Sequence, residues 1–223
     1  MTTESIRTDS QGGVDWRRAE FVLTGLAFLG FITLPIRITT IYGGLPAHPL
    51  FVHVPVILIP ATILAAIVCM VKPEWFARYG IALALVSIAA MSSIFLTMQA
   101  GGALRAALHL HGRAAHLISE HSQAASILAI VYVVFTAVLI VTFAAQRISG
   151  GMATGLGLVD RALSPLRVFT VLRVVLVVLA LVGAGVVFRV GDLGAKAVWQ
   201  GRIQAAQHAA ALTHGAAPRP GTA

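Results

Sequence analysis

Apolar positions in this chain come in long runs, with polar residues gathered between them. Five runs are long enough to cross a hydrocarbon core about 30 Å thick, which takes about 20 residues of helix. They are Phe21–Tyr42, Leu50–Val71, Tyr79–Gly101, Ala124–Ala145 and Phe169–Phe188. Strand-like alternation is absent, and backbone polar groups in lipid must pair within their own segment, so each run predicts a helix. The first run is the most interrupted. Pro35 removes a helical hydrogen bond, and Arg37 has to reach an interface. The pattern predicts an all-α, polytopic membrane helix bundle of about five transmembrane helices. An N-terminal segment 1–20 precedes the first helix (21–42), a four-helix membrane domain fills 43–201, and an Ala-rich, partly disordered tail occupies 202–223. That tail reads as helical to about Leu212. No internal repeat is legible.

Composition sharpens this picture. Hydrophobic residues make up 58% and charged residues 11% of the 223 positions, against about 25% charged in a soluble domain. The net charge of +8 does not form a stripe; the basic residues flank the apolar runs, as topology signals do. Nucleic acid is therefore excluded as a partner, and the lipid bilayer is expected. The single cysteine, Cys69, lies within an apolar run and allows no disulfide or CxxC site. A signal-peptide cut after Ala47 would put Leu45 where a small residue is wanted, so the first helix is expected to stay uncleaved. Lys and Arg divide almost evenly between the two sides. The Arg17-Arg18 pair before the first helix tips the N-terminus toward the cytoplasm.

Five spans place all eight histidines on one side, whichever way up the chain sits. His48 and His53 open the second helix, and Pro49 suits its first turn. Pro55 frees the carbonyl of Phe51, and Pro60 that of Val56; freed carbonyls in a membrane helix need other partners. His109, His111, His116 and His121 lie between the third and fourth helices, and His208 and His214 in the tail. Residues 102–123 read as an amphipathic surface helix. Arg105, His109, Arg113, His116 and Glu120 share one face, while His121 continues an apolar stripe into the fourth helix. Histidines five apart sit about 140° round a helix. One ion therefore cannot take both His48 and His53, nor both His116 and His121, and a site has to draw one histidine from each of two helices. That is the geometry of a b-type haem or a mixed-ligand transition metal in a helix bundle. His53 and His121 are the expected ligands of the metal or haem. His48 and His116 are expected to tune it, and Arg189, with Arg37, to pair with haem propionates. HEXXH, Walker A, GxGxxG and Ser-His-Asp patterns are all absent, so the sequence indicates no stand-alone enzyme.

Two stretches carry a resemblance. His48-Pro49-Leu50-Phe51-Val52-His53-Val54-Pro55 opens the second helix, and Gly191, Leu193, Gly194, Val198 and Trp199 follow the fifth. With His121 between them, these residues resemble the bacterial domain-of-unknown-function family 2231, predicted four-helix inner-membrane proteins. The resemblance spans about His48 to Gly201, leaving the first helix as an addition. Lys196 stands where that family tends to have Glu, and Gly201 where a histidine often follows. The resemblance implies a neighbourhood of redox modules, and with it electron transfer or haem.

Three functions are consistent with the sequence. The leading one is a haem- or metal-binding redox subunit, with other redox or membrane-complex subunits as partners. The alternative is a structural or assembly subunit, or a homo-oligomer, since Gly80, Ala82, Ala84, Ala89 and Ala90 suit close helix packing. A small-solute or ion transporter ranks last, because the later helices carry no carboxylate near mid-membrane.

Overall fold

The structure, a computed structural model, describes residues 44–108 and 111–215, without the side chains of 201, 204 and 212–215. The expected first helix, Arg37 and His109 lie outside the described residues. Among the described residues six helices follow in order: α1 (His48–Phe51), α2 (His53–Val71), α3 (Pro73–Ala107), α4 (Gly112–Ser149), α5 (Gly157–Leu163) and α6 (Leu166–Gly215). α1 runs into α2 with a break only at Val52, so together they make one span. Among the described residues four spans are long and apolar enough to cross a membrane: α1–α2, α3, α4 and α6.

The connections follow from local chemistry. Pro73 forces Lys72 into an extended conformation (φ −117°, ψ 88°), so this one residue turns α2 into α3. At that end the Arg173 guanidinium of α6 donates to the Met70 carbonyl at the close of α2, and Gln146 Nε2 donates to the Pro73 carbonyl at 2.9 Å. At the other end the expected surface helix over 102–123 does not form as one piece. α3 continues to Ala107, Leu108 and His111 are extended, and α4 starts at Gly112. Gly112 has φ +61°, a left-handed conformation that costs glycine little and the neighbouring side-chain-bearing residues more. The tail helix is longer than expected and continues α6 without interruption to Gly215. At 1.5 Å per residue α6 is about 75 Å long, more than twice the hydrocarbon thickness.

The spans form a ring. α2 packs on α3, α3 on α4, α4 on α6 and α6 on α2, while neither diagonal pair (α2 with α4, α3 with α6) makes backbone contact. The interior is apolar, centred on Phe76, Ile88, Met91, Tyr132, Phe135 and Leu139. The outer faces are also apolar, with Ile57, Leu64, Ile130, Val171 and Leu181 exposed, as lipid contact requires.

The ring hides a duplication. A shift of 73 positions carries His48 onto His121, and it carries all seven buried residues of α2 onto buried residues of α4, among them Pro55 onto Leu128, Ile59 onto Tyr132 and Cys69 onto Thr142. A shift of 93 positions carries α3 onto α6. The five buried residues described in α6, namely Phe169, Leu176, Ala180, Gly183 and Leu193, fall on Phe76, Leu83, Ser87, Ala90 and Ala100, all buried. The bundle is thus two equivalent helical hairpins about a pseudo-two-fold axis running along it, the arrangement of a parallel repeat. The hairpins share position and burial more than chemistry, which is why the sequence showed no repeat.

Candidate functional site

The site lies where the repeat brings two histidines together at one end of the bundle. His48 stands in the first turn of α1, with Pro49 beside it where a missing N–H is harmless. Its Nδ1 lies 3.0 Å from the Thr97 carbonyl of α3. His121, about two and a half turns into α4, places its Nδ1 3.0 Å from the Val190 carbonyl of α6. A carbonyl only accepts, so each Nδ1 carries the proton and donates, and each Nε2 keeps a lone pair. A tether of this kind is what orients a histidine that ligates a metal.

Each tether sits above a glycine one turn on. A Cβ on Gly101 would come within 3.0 Å of His48 Nδ1, and one on Gly194 within 3.2 Å of His121 Cε1. Both glycines let an imidazole lie against a helix backbone. The two rings are half-buried, their centroids are 6.5 Å apart, and their planes stand at 84°. They come from α1 and α4, helices of the diagonal that otherwise stay apart, so the imidazoles close the end of the bundle across its pseudo-two-fold axis.

Thr97 serves this corner twice. Its carbonyl holds His48, and its hydroxyl donates to the Phe51 carbonyl at 3.1 Å. This is the carbonyl that Pro55 leaves without a helical donor.

The pairing differs from the one expected from sequence. His53 lies exposed on the outer face of α2, and the partner of His121 is His48. His116 is exposed one turn beyond the site, its Nδ1 3.8 Å from the Glu120 carboxylate. Arg189 is exposed on α6 beside the residue that tethers His121. His111 is exposed at the turn before α4, and the described backbone at His208 and His214 belongs to the far part of α6. Among the described residues no three His, Cys, Asp or Glu side chains gather closely enough to hold an ion. Sequence reasoning missed Thr97, Gly101 and Val190, and had Gly194 only as part of the closing stretch of the resemblance. The legible signal was the matching spacing, a tethering residue followed four positions later by glycine, in both Thr97–Gly101 and Val190–Gly194.

A second polar group lies deep in the bundle. The Ser87 and Thr136 hydroxyls are 2.8 Å apart, and Thr62 donates to its own Leu58 carbonyl. The Tyr132 hydroxyl is buried nearby without a geometric hydrogen-bond partner. Here the hairpins differ: Tyr132 corresponds to Ile59, Thr62 to Phe135 and Ser87 to Ala180.

No curated protein and no solved structure matches the chain. A family model does, over residues 44–207, a stretch that holds the first three spans, most of α6 and both tethered histidines, and the chain belongs to that family, described as predicted membrane protein (DUF2231).

Proposed function

We propose that this membrane protein holds a transition-metal centre between His48 and His121 and works as a redox or metal-handling subunit at the membrane. The supporting observation is the tethered pair itself. Two imidazoles from equivalent positions lie with their centroids 6.5 Å apart, each fixed through Nδ1 to a neighbouring helix and each left with a free Nε2. A pair that only filled space would need neither the fixed tautomer nor a glycine beneath each ring. With the N-terminus in the cytoplasm, as the Arg17-Arg18 pair favours, and a spanning first helix, this end would face the periplasm.

A b-type haem is one centre the donor set admits, since two imidazoles supply its axial ligands. A bare ion is the other. His53, His116 and Arg189 stand outside the pair and would act on it through solvent and charge. The test is a visible spectrum with metal analysis of detergent-purified protein from haem- and metal-replete cells. The expected result is one centre per chain, lost in His48→Asn and in His121→Asn and kept in His53→Ala. Asparagine still donates to the tethering carbonyl, so these variants remove the ligand and keep the tether. Wild-type protein with neither metal nor haem would overturn the proposal.

A second reading, as an assembly subunit, draws on α6. From Arg189 to Gly215 it runs about 40 Å beyond the histidine level, with Val198, Trp199 and Ile203 exposed. Co-purification of a partner that is lost on truncation at Gln200 would support it.

A further inference from the structure

We infer that the His48–His121 pair is a two-coordinate site for monovalent copper. This rests on the metal-site reading above and names the ion. Distance is the first argument. A metal lies about 2.0 Å from an imidazole nitrogen and so about 3.1 Å from the ring centre. Two imidazoles in line on one ion then have centroids about 6.3 Å apart, and two at a tetrahedral angle about 5.1 Å. The observed separation is 6.5 Å, with the ring planes at 84°. With the two Nε2 atoms turned toward each other, this spacing would be that of the linear arrangement, in which the planes are free to turn about the common axis.

Ligand number is the second argument. Zinc takes four ligands, and among the described residues no third His, Cys, Asp or Glu joins the pair. A filled-shell monovalent copper ion accepts two nitrogen donors in line, and imidazole is among its suitable ligands. Charge is the third. Both donors bind as neutral imidazoles, and the carboxylates along the adjoining helices have partners of their own: Asp192 lies 2.6 Å from Lys196, and Glu120 lies 3.8 Å from the His116 ring. A divalent ion would keep its full charge in a half-buried site. Desolvation grows with the square of the charge, so the penalty for a monovalent ion is about four times smaller. Space is the fourth. A porphyrin set across the line between the rings would have to part the hairpins where α3 packs on α4 and α6 on α2, above an interior filled by Pro55, Thr97 and Ala124. An ion needs no such opening.

The experiment is an anaerobic titration of the detergent-purified protein with Cu(I) against a chromogenic Cu(I) chelator, followed by X-ray absorption of the loaded protein. The expected result is one ion per chain on two nitrogen ligands, with affinity at least about 100-fold lower in His48→Asn and in His121→Asn and unchanged in His53→Ala. Circular dichroism and gel filtration of the Asn variants confirm that the fold is intact. Haem or zinc bound through the same two histidines, with no Cu(I) retained, would overturn the copper assignment and leave the metal-site reading standing. Protein that takes no metal and no haem would overturn both.

Discussion

Gly101→Ala is the sharpest test of how the histidine pair is held, because it separates the site from the fold. Gly101 lies in the last turns of α3, and its φ is not in the left-handed region, so alanine is permitted there. The added Cβ would stand 3.0 Å from His48 Nδ1 and 3.1 Å from Cε1. Ordinary contact begins at about 3.4 Å, so the ring has to retreat by about 0.4 Å. The 3.0 Å hydrogen bond to the Thr97 carbonyl then stretches to about 3.4 Å, past the usual range for N–H···O. Losing most of that bond costs about 1 kcal/mol, while alanine in place of glycine inside a helix gains about 1 kcal/mol. The two nearly cancel, and thermal unfolding in detergent should be close to wild type. Metal affinity should not be, because the tether orients the ligand; a drop of about 10- to 100-fold is expected. Gly194→Ala should be milder, since its Cβ would meet His121 at 3.2 and 3.3 Å. Competition titration of Cu(I) alongside calorimetry reads both effects. Wild-type affinity in Gly101→Ala, or a larger loss in Gly194→Ala, would refute the reasoning.

Thr97→Val removes the donor to the Phe51 carbonyl and should cost about 1 kcal/mol. The cost should shrink in a Pro55→Ala background, where residue 55 regains its own N–H for that carbonyl; equal costs in both backgrounds, measured by unfolding, would rule the compensation out. Gly80→Ala puts a Cβ against the buried Phe143 ring, 2.8 Å from Cε2, and should destabilise by about 1–3 kcal/mol through overpacking; an unchanged melting temperature would contradict the packing between α3 and α4. Ser87→Ala and Thr136→Val should each destabilise by about 0.5–1 kcal/mol, and together by less than the sum, because each single change strands the other hydroxyl; strict additivity in a double-mutant cycle would show that the pair does not interact. Metal held at pH 7.5 should be released on acidification, since an imidazole nitrogen binds metal only when unprotonated; retention at pH 5 would point to other ligands. His48→Asn, His121→Asn and the double variant should lose metal to the same extent, because a two-ligand ion is lost with either ligand; stepwise loss would indicate two independent sites.

The helices were legible because lipid imposes a simple rule, and runs such as Leu50–Val71 and Ala124–Ala145 satisfy it without help from context. The boundary at 108–111 was not. Arg105, Arg113, His116 and Glu120 keep a helical period across it, while the extended backbone at Leu108 and His111 and the left-handed Gly112 break the helix there. The site was half legible. Helical spacing correctly allows only one of His48 and His53, and one of His116 and His121, to face a given point. It could not choose His48, because that depends on how α1 is rotated against α3. The rotation is set by contacts distant in sequence: the Thr97 hydroxyl answering the carbonyl that Pro55 frees, and the absent side chain at Gly101.

The duplication separates geometry from chemistry. Equivalent buried positions mostly keep their place and change their residue: Ile59 against Tyr132, Ala66 against Leu139, Met70 against Phe143. Packing therefore tolerates wide exchange so long as each hairpin fills its half of the core. At the histidine end the same freedom is not used. His48 matches His121, Gly101 matches Gly194, and both imidazoles donate through Nδ1 to a carbonyl at the same distance. Tethering alone would require a donor on each side, which asparagine or serine could provide, and space-filling would require neither. Two identical rings, each with an unused Nε2 and brought to the one axis the hairpins share, are what a ligand with two opposed positions needs. The mid-bundle cluster of Thr62, Ser87, Tyr132 and Thr136 has no such match across the axis, so whatever it does involves one hairpin differently from the other. The symmetric end is where a centre binding both halves alike belongs.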